Sequence, residues 1–117
     1  MSTFSVQNLA VGKHIITSGG TPSVSKGSAV GSNGTVTISG NDTAGTVSIN
    51  VGAGASGGTL ANINFKTQYG GSPKVVISPV GTGGLFYVTS IGADGFSIGV
   101  NSALSPGGYK INYIVVQ

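Results

Sequence analysis

Apolar residues along this chain recur at every second position in short runs, the period of a strand with one face in a core and the other in solvent. The clearest runs flank a polar corner. Val36 and Ile38 point one way and Thr35, Thr37 and Ser39 the other; further on, Val47, Ile49 and Val51 alternate with Thr46, Ser48 and Asn50. Between them lies Gly40-Asn41-Asp42-Thr43-Ala44-Gly45. Asn and Asp side chains can hydrogen-bond nearby backbone amides, and glycine supplies φ freedom, so Gly40, Asp42 and Gly45 are expected to build a tight structural corner.

Downstream, Gly52–Gly58 reads as a flexible loop, Ala61, Ile63 and Phe65 alternate with Asn62, Asn64 and Lys66, and Tyr69-Gly70-Gly71-Ser72-Pro73 reverses the chain. Lys74–Val80 is a near-continuous apolar run, expected to be buried on both faces with Pro79 at its end or at an edge. Leu85–Ile91 forms another strand, and Ala93-Asp94-Gly95 signals a type I′ hairpin. Phe96, Ile98 and Val100 face inward beyond it, and Asn101–Gly108 forms a loop. Tyr109–Val116 ends in four apolar residues, as a central strand or an intersubunit contact would.

Ahead of Thr35 the pattern is looser: Phe4 and Val6, then Leu9 and Val11, then the pair Ile15-Ile16. Residues 1–34 read either as first strands or as an extended arm that grips a neighbouring subunit, and residues 35–117 as a β-sandwich domain. No stretch has helical periodicity. The expected fold is all-β, an antiparallel β-sandwich of jelly-roll type with seven to nine short strands.

Composition changes this picture in one respect. The 117 residues include 22 glycines but only five Lys, two Asp and one His, with no Cys, a charged fraction of 6% and a net charge of +3. Ordinary soluble domains are about a quarter charged, so hydroxyls and amides must keep this one in solution. They guard poorly against edge-to-edge association, and a permanent homo-oligomer is expected. The lysines are scattered and Arg is absent, against nucleic-acid binding. The first twenty residues lack a signal peptide's basic start and apolar block, and no run is long enough for a membrane span.

Candidate chemistry is thin. His14 is the single histidine and Cys is absent, so one chain cannot assemble a His or Cys metal cluster. Asp42 and Asp94 are the only carboxylates, without Glu, Arg or a second His to complete an acid–base pair. The Gly52–Gly58 loop lacks the Lys-Ser/Thr of a phosphate-binding loop. Catalytic, cofactor and metal residues are therefore expected to be absent. Most of the eight aromatics fall in strands as core. Tyr69, alone in a glycine turn, is the candidate glycan contact, although packing against Pro73 is the simpler role.

Several spaced motifs together resemble a known module. They are Ser39–Val47, then Leu60-x-x-Ile63-x-Phe65-x-x-x-Tyr69-x-x-x-Pro73-x-Val75-Val76, then Phe86-Tyr87-Val88, Gly95-Phe96-Ser97-Ile98 and the closing Tyr109-x-Ile111-x-Tyr113-x-Val115. From about Thr35 to Gln117 they resemble a bacteriophage surface β-sandwich found in capsid decoration (cement), head-fibre and tail-fibre proteins. That resemblance implies a homotrimer on the virion surface, no enzyme activity, and an architectural role for Asp42, Gly45, Phe65, Tyr69, Pro73 and Phe96. The segment before Thr35 falls outside it, and its shortness favours a protein that binds the major capsid protein and stabilises the shell. The alternative is a tail-fibre or head-fibre adhesin contacting host surface glycans through Tyr69 and the loops at Gly52–Gly58 and Gly81–Gly84.

Overall fold

The computed structural model describes residues 5–81 and 85–117. Phe4, the partner of Val6 in the first alternation, and Thr82–Gly84 of the second glycine loop lie outside the described residues. Eight strands are present among the described residues: β1 (Ser23–Lys26), β2 (Thr35–Gly40), β3 (Ala44–Val51), β4 (Gly58–Asn64), β5 (Lys74–Val80), β6 (Phe86–Gly92), β7 (Gly95–Val100) and β8 (Gly107–Val116). They form two four-stranded antiparallel sheets, ordered β1-β4-β7-β6 and β2-β3-β8-β5. The chain is therefore an all-β antiparallel sandwich. Inward residues of both sheets meet in one core, centred on Val47, Ile49, Leu60, Ile63, Phe96, Ile98, Ile111 and Tyr113.

The winding has a simple logic. A jelly roll is one long ribbon whose first and last strands pair, whereas here β1 pairs with β4 and β8 with β3 and β5. Each half of the chain is a hairpin enclosed by an outer pair, β2–β3 within β1–β4 and β6–β7 within β5–β8, with hairpin and outer pair in opposite sheets. The halves join where β4 meets β7 and β3 meets β8. Exchanging β1–β4 for β5–β8 exchanges the two sheets, so the sandwich has an approximate two-fold axis.

The amino acids keep a trace of that symmetry. Ala44/Ala93, Ser48/Ser97, Ile49/Ile98, Val51/Val100, Ser56/Ser105 and Gly58/Gly107 recur at one constant spacing. Gly58 and Gly107, which open the equivalent strands β4 and β8, both have positive φ, 125° and 146°. The equivalent loops before them meet, since a Cβ on Gly57 would lie 2.7 Å from the Asn101 carbonyl oxygen.

Three local expectations change. Lys74–Val80 is not buried on both faces: β5 is an edge strand, with Val75 and Ile77 turned inward and Val76 and Val80 exposed. An edge position tolerates Pro79. The hairpin between β6 and β7 turns on Ala93 and Asp94, and neither has the positive φ that a type I′ turn requires. Its twist is absorbed instead by a register shift after Thr89, with Ser90 at φ 53°. Gly95 is dictated by space, since a Cβ there would lie 1.9 Å from the Ile63 carbonyl oxygen. Finally, the sandwich begins before Thr35. Ser23–Lys26 pairs with β4, and the 3-10 turn Ser28–Val30 delivers Ala29 and Val30 to the core. Residues 5–22 contribute no strand, while β8 is central, as its apolar end suggested.

A Cβ on Gly58 or Gly107 meets nothing within 4 Å, so alanine there incurs backbone strain and no clash. Gly58→Ala and Gly107→Ala should each lower unfolding stability by about 1–3 kcal/mol in denaturant titrations. Gly12→Ala, with open space and ordinary φ, should stay within about 0.5 kcal/mol of wild type.

Candidate binding site at the Asn41–Asp42 corner

The corner joining β2 to β3 is organised by Asn41, which is buried although polar. Its Oδ1 accepts from the amides of Thr43 and Ala44, both at 3.0 Å, closing an Asx turn. Its Nδ2 donates to Thr17 Oγ1 at 2.9 Å, and its carbonyl oxygen accepts the Tyr113 hydroxyl at 2.6 Å. Burying an amide side chain is costly unless its donors and acceptors are paired, and here they are.

Asp42 does not cap its own turn. Its two carboxylate oxygens accept the amides of Lys66 and Thr67 at 2.7 and 2.8 Å, in the loop between β4 and β5. Its carbonyl oxygen accepts the Tyr69 hydroxyl at 3.1 Å. Asp94 holds the same loop from the other side: its carbonyl oxygen accepts the Phe65 amide, and its carboxylate accepts from Gln68 Nε2. Both side-chain carboxylates of the chain thus clamp one loop from different sides. Gly40 has φ 103°, the conformation the corner needs. Gly45 is demanded by space instead, because a Cβ would sit 2.2 Å from the Ser39 carbonyl oxygen and 2.5 Å from the Tyr113 hydroxyl.

Tyr69 packs edge-on against Phe65, with ring centroids 4.8 Å apart, and Phe65, Phe96 and Tyr113 continue the aromatic stack into the core. Partial burial and the nearby Asp42 charge raise the Tyr69 pKa against the lowering effect of the Thr43 hydrogen bond. Burial first, then the charges of Asp42 and Tyr69, pushes Tyr113 up to about 12.

Of these residues Asp42 and Tyr69 line an open concavity of about 440 Å³, with Ser18, Gly19, Thr43, Gln68 and Gln117 on its walls. Gln117 Oε1 accepts the Gly70 amide at 3.1 Å. Corner and candidate glycan residue, separate in the sequence, thus share one surface depression with an aromatic ring and several amide and hydroxyl groups. Such a surface can hold a polar neutral ligand. Asp42 has each oxygen engaged by an amide, and no histidine lines the cavity. His14 lies on the exposed stretch before β1, and among the described residues no three His, Cys, Asp or Glu side chains are grouped to hold a metal. Asn41 was read from the sequence as a corner residue that holds nearby amides, and it does; Thr17 and Gln117 were not singled out. Asn41 carried a usable signal, an Asx turn before Thr43 and Ala44, whereas Thr17 and Gln117 act over distances that no local pattern reports.

A second open concavity, about 510 Å³, crosses the outer face of the second sheet between Thr35, Thr37, Ser48, Val80, Tyr109 and Lys110, a mixed wall whose exposed surface is mostly apolar. Compared with known proteins, the chain matches no family model, no curated protein and no solved structure.

Asp42→Ala should lower stability by about 1–3 kcal/mol, since two amides lose a charged acceptor, and Asn41→Ala by at least as much. Chemical denaturation checks both. The raised Tyr113 pKa means that the folded state holds this proton more tightly than the unfolded chain, whose tyrosines titrate near 10. Its stabilisation is complete below about pH 10 and is lost as pH rises through about 12. Tyr113→Phe should flatten that alkaline decline while costing about 1 kcal/mol at neutral pH, as measured by unfolding at a series of pH values.

Proposed function

We propose that this chain is a structural protein of a bacteriophage virion surface, a homotrimeric β-sandwich that binds the major capsid protein and stabilises the shell, without enzymatic activity. The observation that carries the reading is the pairing of very low charge with apolar residues left uncovered along the segment before β1 and on β5 and β8. A free monomer with such surfaces is a poor colloid, and a subunit that is always covered is not. The phage-module resemblance from Thr35 to Gln117 supplies the virion context, and the clamped corner is consistent with a rigid, exposed scaffold.

A second reading is favoured by the corner concavity: a fibre adhesin that takes a neutral host glycan against Tyr69, Thr43 and Gln117. Sugars are commonly held by one ring face and several hydrogen-bonding side chains, which this depression provides.

Purified protein should bind saturably to capsids that lack it and raise the temperature at which they release DNA. Capsids that neither bind it nor gain stability would overturn the decoration reading. Glycan-array binding lost on Tyr69→Ala would establish the adhesin instead.

A further inference from the structure

Residues 5–16 contain five large apolar side chains, Val6, Leu9, Val11, Ile15 and Ile16, all exposed, with Leu9, Ile15 and Ile16 at 75%, 80% and 87%. Most are isolated from the core, and the segment pairs with no strand. The radius of gyration, 15.3 Å, exceeds the roughly 13 Å of a compact chain of this length. The segment's root is fixed, since Thr17 is bonded to Asn41 and Thr21 Oγ1 donates to the Gly40 carbonyl oxygen. Beyond that root twelve residues can span about 40 Å when extended.

The second exposed apolar surface lies at the same end of the sandwich. Ala44 pairs with Ile114 and Ile114 with Val76, so the three stand in one cross-strand row, and Lys74 pairs with Val116 beside it. Val76, Ile114 and Val116 are 64%, 55% and 52% exposed. The Val115 amide donates to the Thr43 carbonyl oxygen, which ties this row to the corner holding the segment's root. The row ends on β5, which carries Val76 and is an edge strand with one side unpaired.

We propose that residues 5–16 form an exchanged arm, which adds as a strand to the β5 edge of a second copy and covers Val76 and Ile114 there. The proposal deepens the homo-oligomer reading above and rests on it. Three observations select this occupant. Leu9, Val11 and Ile15 fall on one face at strand period, while Ser5–Thr17 contains no proline, so every residue can donate to a ladder. Root and row share one end, so an arm leaving one copy's root can reach, over about 40 Å, the β5 edge of a neighbour that packs at that end. Every copy also supplies one arm and one edge, so a closed ring leaves neither unpaired. Neither surface carries a carboxylate or a cluster of charge that would select a charged partner.

The absence of native cysteine makes the test direct. Full-length single variants Leu9→Cys, Val11→Cys and Ile15→Cys are each co-expressed with a differently tagged Val76→Cys chain and oxidised, while light scattering reports the oligomer. The expected result is a disulfide between the two tagged chains for at least one arm position, together with loss of the oligomer on deleting residues 5–16. A persistent oligomer with no cross-link, or one that survives the deletion, overturns the arm while leaving the homo-oligomer intact. A double variant such as Ile15→Cys/Val76→Cys that closes only within one chain shows that the arm covers its own sheet and also overturns the proposal. A monomer at all concentrations overturns the homo-oligomer reading itself.

Discussion

Asn41 carries the hydrogen bonds on which the corner depends. Its side chain closes the turn between β2 and β3, its amide nitrogen fixes Thr17, and its carbonyl receives the Tyr113 hydroxyl from the central strand of the second sheet. One residue later, Asp42 reaches over the end of the sandwich to the loop between β4 and β5. That joins the two sheets where no strand pairing does. A buried network of this kind is valuable only when every member is satisfied, and no buried side-chain polar atom among the described residues lacks a partner.

Charge scarcity and symmetry reinforce one another in this molecule. With only two carboxylates, each is used to hold backbone amides or a neighbouring side chain, leaving none on the outer sheet faces to discourage association. Those faces are hydroxyls and amides, such as Thr37, Ser48 and Asn112 on the second sheet, interrupted by the Val76–Ile114 row. The approximate two-fold axis explains how so glycine-rich a chain still folds to one core. Within each half the hairpin faces its outer pair across the core, the two halves join side by side through β4–β7 and β3–β8, and the equivalent glycines at the starts of β4 and β8 give both halves the same entry into the central strands.

Particular residues show where sequence reasoning was sufficient. The alternation of Val36 and Ile38, of Val47, Ile49 and Val51, and of Phe96, Ile98 and Val100 located strands and their inward faces correctly, because period two follows from the pleat itself. The corner was also legible as a corner. Asp42's partners were not, because Lys66 and Thr67 approach only after β4 has crossed to the other sheet. Gly45 and Gly95 were misread for a related reason: each looked like a request for φ freedom, and each proved to be a backbone approach too close for any Cβ.

By itself, then, the sequence determined the all-β class, the inward residues of the clearest strands and the scarcity of charged side chains, since each depends on local periodicity or on composition. Tertiary structure alone decided that Lys74–Val80 is an edge, that both aspartates clamp one loop, that Tyr69 and Asp42 share a concavity, and that the Val76–Ile114 row stands at the same end as the Asn41 corner. Those are outcomes of strand order. Strand order is set by which pairing buries the most apolar area across the whole chain, a global balance that no short window of residues contains.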